Sequence, residues 1–297
     1  MKARGAAATR AVGRRWQRLA PWALTGPALA VVAVFFGLPM LRMARMSFNL
    51  HEGQRLYDPG FTFQHYVTLF TNPVFTGAMR TTVILAAEAS LAAVILGYGF
   101  ALLAWLKPAN WRLLFIALAL CPLLVSEIAI IFGWWMFFPK NGLLSHALLS
   151  AGLITDKISL MYTEFAAFVG LVYITLPYTF FIMLSVLDGI DRSAIEASGD
   201  LGAPPLVTFA EVLLPLSLGG LQVAFSQSVI WTMGTYATPS ALGPDTLWTI
   251  GFLVQDQMLG RHNWPMASAL AMVLAAGVAL VVILTGFLFA RGGGRHV

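Results

Sequence analysis

The chain has 297 residues, of which 59% are hydrophobic and only 10% are charged, whereas soluble domains carry roughly 25% charged residues. Its mean hydropathy is +0.79, which excludes a disordered chain, a coiled coil and an ordinary soluble enzyme. Cys121 is the single cysteine, so an intramolecular disulfide framework and a metal site built from several cysteines are excluded too.

Six segments are apolar over about 20 residues, the length that an α-helix needs to cross roughly 30 Å of hydrocarbon. They are continuously apolar rather than alternating, which indicates helices and not barrel strands. We therefore predict an all-α integral membrane protein, with a basic arm over 1–21, a six-span domain over 22–290 and a tail over 291–297. The predicted spans are Trp22–Leu41, Thr81–Leu106, Leu113–Phe138, Phe165–Leu187, Leu216–Thr238 and Pro265–Ala290.

The distribution of basic residues predicts the orientation of these spans. With a cytoplasmic N-terminus, the inner segments hold 11 Lys and Arg in 62 residues, and the outer segments hold 7 in 91. Basic residues concentrate on the cytoplasmic side of membrane proteins. We therefore predict that both termini are cytoplasmic, and we interpret the net charge of +5 as a topology signal and not as a nucleic-acid surface.

The sequence contains none of the common motifs for phosphate binding, zinc-dependent hydrolysis or nucleophilic catalysis. No Gly-Lys dipeptide occurs, so the chain lacks a phosphate-binding loop for ATP. Its five histidines lie in predicted loops or the tail without the spacing of a zinc hydrolase, and no Gly-x-Ser-x-Gly elbow is present. We predict no catalytic residue, no metal site and no cofactor in this chain, and hence a transporter or channel component rather than an enzyme.

The longest inner connection, residues 188–215, predicts two short helices with a break between them. Ser193 has the position of a helix N-cap, with Glu196 three residues later as in a capping box. Gly199 and Gly202 are suited to ending that helix.

The second helix is predicted over Leu206–Leu213, and Pro215 marks the entry into the fifth span. Ile195, Leu201 and Leu206 are candidate apolar knobs for the groove of a partner. The alternative is an interfacial loop without any partner, and periodicity alone does not separate the two.

The spacing of this loop resembles the Glu-Ala-Ala signature of importer-type ABC permeases. In that pattern Glu-Ala-Ala is followed by three residues, Gly, nine residues, Ile, one residue and Leu-Pro. Every interval is kept here, with Ser in place of the second Ala and Val in place of Ile. The matching residues are Glu196, Ala197, Ser198, Gly202, Val212, Leu214 and Pro215.

Other stretches resemble the spermidine/putrescine permease subfamily, so that the likeness extends over nearly the whole chain after residue 20. It is greatest for the first of the two permease subunits in that system. The subfamily also contains permeases for opines, iron and phosphonates. The matching stretches are residues 63–70, 96–101, 170–178 and 263–266.

The resemblance implies a six-helix permease subunit in the bacterial inner membrane, paired with a second permease subunit and served by a solute-binding protein outside. Two copies of an ATPase subunit inside would bind the ATP and Mg. By this likeness the first half of the loop docks on the ATPase, Glu196 faces a basic residue there, and Gly202 provides the break. Asp200, beside the break, is either a cap or a contact.

Two acids, Glu88 and Glu127, lie inside predicted spans, where a carboxylate costs about 2.5–3.5 kcal/mol on insertion scales. Each is either part of a cation-attracting pathway or a structural hydrogen-bonding group. The small residues around Glu88, from Ala86 to Ala93, favour a packing role for it. Glu127 is predicted near the middle of its span, with neither role favoured.

Three further features bear on the pathway and on the outer face. Trp134 and Tyr173 are candidate pathway residues, although aromatic residues near span ends are more often interfacial anchors. Residues 246–258 predict an amphipathic helix on the outer face. With residues 48–77 this helix forms either a platform for the binding protein or a cap against solvent.

We therefore expect an ATP-driven, binding-protein-dependent importer of a polyamine or similar small cationic solute. Opines, iron and phosphonates are the alternative solutes. A stand-alone channel or secondary transporter is the alternative class, and the loop spacing argues against it.

Overall fold

A computed structural model describes residues 25–51 and 55–293, with side chains through residue 287. The predicted basic arm and most of the tail lie outside these residues. Within the described part all regular secondary structure is helical, and the only β-type contact is an isolated bridge between Leu50 and Asp58.

Five continuous helices of the described part are long and apolar enough to cross a membrane. They begin and end within a few residues of the predicted spans, except that the second starts earlier and the fifth includes half of the inner loop. They are α1 (Thr25–Met46), α3 (Pro73–Leu106), α7 (Glu164–Asp188), α9 (Pro205–Gly234) and α12 (Trp264–Gly293).

Shorter helices connect the crossing ones. The end of the bundle with residues 188–215 is called the loop end, and the opposite end the far end. The shorter helices are α2 (Gln64–Thr71), α4 (Ala109–Leu123), α5 (Glu127–Phe137), α6 (Leu143–Ser150), α8 (Arg192–Asp200), α10 (Ala237–Leu242) and α11 (Ile250–Gln255).

The prediction of a continuous third span is wrong. Its residues form two helices, α4 and α5, with a bend of 100° between them. Pro122 lies next to the end of α4 and removes a backbone donor there. Pro177 does not interrupt α7, so proline alone does not explain the break. The contacts of α5 with α10, described below, hold it in its new direction. Counting the bent pair as one span gives the six crossings predicted.

The centre of the bundle is the contact between α3 and α7. Ala89 and Ala93 of α3 are fully buried, and Thr179 of α7 donates a hydrogen bond to the Ala93 carbonyl, 2.9 Å away. A Cβ built on Gly97 would collide with the Thr179 side chain. Small residues at membrane helix interfaces allow backbones to approach this closely.

Hydroxyl pairs join α9 to α3. Tyr98 and Ser217 lie 3.1 Å apart, oxygen to oxygen. Nearer the far end, Ser90 and Thr232 lie 3.2 Å apart. Such pairs satisfy polar groups that have no water available in a membrane interior. The helices α3, α7 and α9 therefore form the core on which both ends of the bundle are built.

Close packing at Gly97 can be tested against its neighbour Gly99, around which a Cβ would meet nothing within 4 Å. We expect Gly97→Ala to lower the thermal unfolding temperature of the purified protein, because overpacking a core costs about 1–3 kcal/mol. Gly99→Ala on the same helix should leave that temperature unchanged or raise it slightly. Equal effects of the two substitutions in thermal unfolding would contradict the close α3–α7 contact.

Candidate functional site

The first half of the loop folds as the helix α8, and its N-cap is Asp191. The Asp191 carboxylate accepts a hydrogen bond from the Ser193 backbone N–H at 3.0 Å. This bond lowers the pKa of the exposed Asp191 below its ordinary value. The prediction of Ser193 as the cap is therefore wrong by two residues, because an aspartate stands at the preceding turn and caps equally well.

The helix ends in a Schellman motif at Gly202. The Ala203 N–H bonds to the Ser198 carbonyl at 3.1 Å, and the Gly202 N–H bonds to the Gly199 carbonyl at 2.8 Å. Gly202 has φ of +80°, a left-handed conformation that glycine adopts without a Cβ penalty. Of the two predicted terminators Gly202 ends the helix, and Gly199 lies within it.

The second half of the loop belongs to α9. Pro205 is the first helical residue, a position that proline favours. A π-helical turn, Phe209–Leu213, then joins it to the transmembrane part, so a separate helix ending at Leu213 is wrong. Pro215 lies in the first turn of the α-helical stretch that follows the π-helical turn. Ser198, which replaces the second Ala of the signature, lies 2.9 Å from the Thr208 hydroxyl and ties the two halves together.

Three contacts fix the loop to the bundle. The Arg192 guanidinium lies 4.9 Å from the centre of the Trp105 ring at the end of α3, a cation–π distance. Arg112 at the start of α4 forms an ion pair with Asp188 at the end of α7. Ile195 packs against the core cluster below α8, so it does not project outward as a knob. A movement of the loop would therefore be transmitted through these contacts to α3, α4 and α7.

The outward surface of the loop carries the remaining candidates. Leu201 is 88% exposed and Leu206 is 82% exposed, unusual values for leucines outside a membrane. Glu196, Ala197 and Asp200 are exposed beside them. Asp200 makes no side-chain hydrogen bond within the described residues. Val212 and Leu214 are half-buried, whereas Pro215 is exposed.

Glu127 is the first residue of α5, directly after the bend that lies near the middle of the predicted third span. One of its oxygens accepts hydrogen bonds from the hydroxyls of Thr235 at 3.1 Å and Thr238 at 2.7 Å. These threonines follow the end of α9, so the carboxylate joins two helix breaks. No sequence pattern identified either threonine as a partner of Glu127, although Thr238 is the last residue of the predicted fifth span.

Glu88 lies on the exposed side of α3, opposite Ala86 and Ala89, which are buried. It makes no hydrogen bond within the described part of the chain. With Arg80 and Glu164 it lines a groove of about 790 Å³ between α3 and α7. The alanines near Glu88 therefore pack inside the bundle as predicted, whereas the Glu88 side chain lies outside that packing.

Trp134 and Tyr173 contact each other, with ring centroids 5.4 Å apart and planes at 88°. Together with Cys121 and Pro122 they line a cavity of about 450 Å³ on the inside of the α4–α5 bend. The buried indole N–H of Trp134 has no hydrogen-bond partner among the residues that the structure describes. The two predicted aromatic residues thus share one site, while the bonded oxygen of Glu127 points to α10.

At the far end, α11 lies over the starts of α3 and α12. Ile250 and Leu253 pack in one cluster with Leu69 of α2 and Leu270 of α12. Thr249 caps α11 by accepting from the Phe252 N–H at 3.2 Å. The segments predicted as an outer platform, 48–77 and 246–258, therefore share one packed cluster. Among the described residues no group of three or more His, Cys, Asp and Glu could hold a metal ion.

The chain is similar in sequence to named permease proteins over most of its length. The chain is 28% identical over 250 residues to the spermidine/putrescine transport system permease protein PotB of Haemophilus influenzae, covering 84% of this chain and 87% of that protein. It is also 28% identical over 252 residues to PotB of Escherichia coli K12, covering 85% of this chain and 91% of that protein. No family model matches the chain.

The fold matches a bacterial alginate ABC transporter, solved in complex with an alginate pentasaccharide-bound periplasmic protein. The TM-score is 0.77 at 17% identity, and the match covers 96% of this chain and all of that one. The chain has the fold of an ABC importer permease. Its predicted resemblance to spermidine/putrescine permeases is confirmed.

The left-handed Gly202 can be tested on the permease itself. We expect Gly202→Val to disorder the end of α8, because a β-branched residue is strained at positive φ, although no neighbouring atom lies within 4 Å. The readout is the rate of trypsin cleavage at Arg192, the one basic residue of the 188–215 loop, in inside-out membrane vesicles. Cleavage should become several-fold faster. Gly199→Ala, inside α8, is the matched control and should leave the rate unchanged.

Proposed function

We propose that the chain is the transmembrane permease subunit of an ATP-driven, binding-protein-dependent importer for a polyamine or a similar small cationic solute. It would form the pathway with a second permease subunit. Two copies of a separate ATPase subunit would bind ATP and Mg on its loop end, and a solute-binding protein would dock at its far end.

The observation that carries this proposal is the 188–215 loop. It is a capped helix, a Schellman turn and a second helical segment, fixed to α3, α4 and α7 on one side and presenting exposed leucines on the other. Because the chain has no phosphate-binding loop of its own, energy must come from a partner through such a surface. A stand-alone secondary transporter gives no reason for two leucines more than 80% exposed at a loop.

The proposed solute class rests on sequence. The PotB relatives are named for spermidine and putrescine and match over most of their length. The alginate transporter has the same fold and a very different solute, so the fold does not select among solutes. The two acids inside apolar segments, Glu88 and Glu127, are compatible with a cation.

The test is reconstitution of the chain with its second permease subunit and ATPase in liposomes. Spermidine and putrescine are supplied on the loaded binding protein. The proposal expects uptake that requires ATP, the ATPase and the binding protein together. Uptake driven by an ion gradient without the ATPase would instead support the secondary transporter. Mass spectrometry of the solute that copurifies with the binding protein separates polyamines from opines, iron and phosphonates.

Docking of the ATPase can be tested at the exposed leucines. We expect Leu201→Glu and Leu206→Glu each to weaken capture of the ATPase subunit by at least about tenfold, because burying a large apolar side chain contributes about 1.5–3 kcal/mol. Glu196→Lys should also weaken capture, since the family resemblance puts a basic residue opposite it. Pull-down measures how much ATPase subunit each variant captures, and ATP hydrolysis in the reconstituted complex measures whether the captured ATPase is stimulated.

Leu153→Glu is the matched control for these variants. Leu153 is 71% exposed and lies at the far end, so the same substitution there should leave ATPase capture unchanged. If Leu201→Glu, Leu206→Glu and Glu196→Lys all retain full capture and full stimulation by the loaded binding protein, the loop is not the docking surface.

The orientation follows from the charge distribution and is part of the proposal. The protein would lie in the bacterial inner membrane with both termini cytoplasmic. A phosphatase reporter, active only in the periplasm, should be inactive when fused after Val297 and active when inserted after Gly152, a far-end turn residue. The reverse pattern of activity would refute the orientation.

A further inference from the structure

Glu127 lies where two crossing segments of the bundle are interrupted. The break after α4 comes about 22 Å along that helix from the loop end, at 1.5 Å per residue over its 15 residues. Thr235 and Thr238 follow the end of α9, and both donate to the same oxygen of Glu127. Glu127 and Thr235 are half-buried, whereas Thr238 is fully buried.

No side chain of the described residues balances the negative charge of the Glu127 carboxylate. Glu127 takes part in none of the ion pairs found among the described residues, and its second oxygen has no hydrogen-bond partner there. The threonine hydroxyls are neutral, so they orient the carboxylate without cancelling its charge. The N-terminus of α5 offsets part of the charge, and the remainder attracts a cation.

The groups that remain free on this site match a primary ammonium. Such a group carries a positive charge and three N–H donors. The second oxygen of Glu127 accepts one of them with charge assistance. The Thr235 hydroxyl donates its hydrogen bond to Glu127, so its oxygen lone pairs remain free to accept another of the N–H groups. A quaternary ammonium has the charge but no donor and would lose both bonds.

We propose that Glu127 and Thr235 bind the primary ammonium group of the transported solute, with Thr238 as the residue that positions the carboxylate. The proposal rests on the proposed function, because the solute class comes from there. Of the two roles that the sequence left open for Glu127, the proposal takes the one in a cation pathway.

The site also links solute binding to the helix breaks. At the other end of α5, the Trp135 indole N–H donates to the Ala241 carbonyl of α10 at 3.1 Å, so α5 and α10 are joined at both ends. An ammonium group bound to Glu127 and Thr235 adds a further contact at the N-terminal end of α5, where Glu127 already bonds to Thr238 of α10. Ammonium occupancy therefore stabilises the present arrangement of α5 and α10.

The experiment measures thermal unfolding of the purified complex of both permease subunits and the ATPase in nanodiscs, without binding protein. Putrescine is the probe, and tetramethylammonium at equal ionic strength is the comparison. We expect putrescine to raise the unfolding temperature by about 2–4 °C and tetramethylammonium to leave it unchanged.

Substitutions separate the three roles. Glu127→Gln keeps an acceptor for both threonines but removes the charge, so half-maximal stabilisation should need about ten- to a hundredfold more putrescine. Thr235→Val and Thr238→Val should each weaken binding less. Thr175→Val is the matched control, since that buried hydroxyl bonds only to carbonyls of its own helix, and the putrescine response should be unchanged.

Other results would overturn the assignment. Stabilisation by tetramethylammonium equal to that by putrescine would remove the specificity for a primary ammonium. A Glu127→Gln complex with lower yield and an undiminished response to putrescine would make Glu127 structural. No response in the parent complex would reject the site even if ATP-driven uptake occurs, whereas a normal response without ATPase coupling would count against the proposed function alone.

Discussion

The structure depends on the close contact between α3 and α7. Gly97 leaves room for Thr179, and the Thr179 hydroxyl bonds to a carbonyl of the facing helix. In a membrane no hydrophobic effect pulls helices together, so close backbone approach and internal hydrogen bonds must do so. One end of α7 carries Asp188 and the 188–215 loop, and its other end packs against α10. A rigid α3–α7 pair therefore connects the proposed ATPase surface with the proposed ammonium site.

The sequence predicted the transmembrane helices well because the membrane imposes a length and a composition on them. Loop contacts were predicted less well, since they depend on which of several suitable residues is chosen. Asp191 and Ser193 are both good N-caps, and only the backbone path selects Asp191. Ile195 and Leu201 are both apolar loop residues, but the direction of α8 buries one and exposes the other.

The bend in the third span shows a different limit. The segment from Leu113 to Phe138 is apolar apart from Glu127. Pro122 alone does not predict a break, because Pro177 lies inside an uninterrupted helix. The bend depends on partners more than 100 residues away in sequence, Thr235 and Thr238. No local pattern contains such contacts. The spacing of the Glu-Ala-Ala signature, by contrast, is local, and its glycine has the left-handed backbone that ends α8.

Cys121 has a consequence for measurement that follows from its place in the bend. It is the chain's single cysteine, its thiol is exposed, and it lines the cavity beside Trp134. A thiol-reactive fluorophore would therefore attach at one defined position in the natural sequence. An indole in the same cavity quenches many dyes on contact. The native protein thus carries, without any substitution, a label site and a quencher on opposite sides of the 100° bend between α4 and α5.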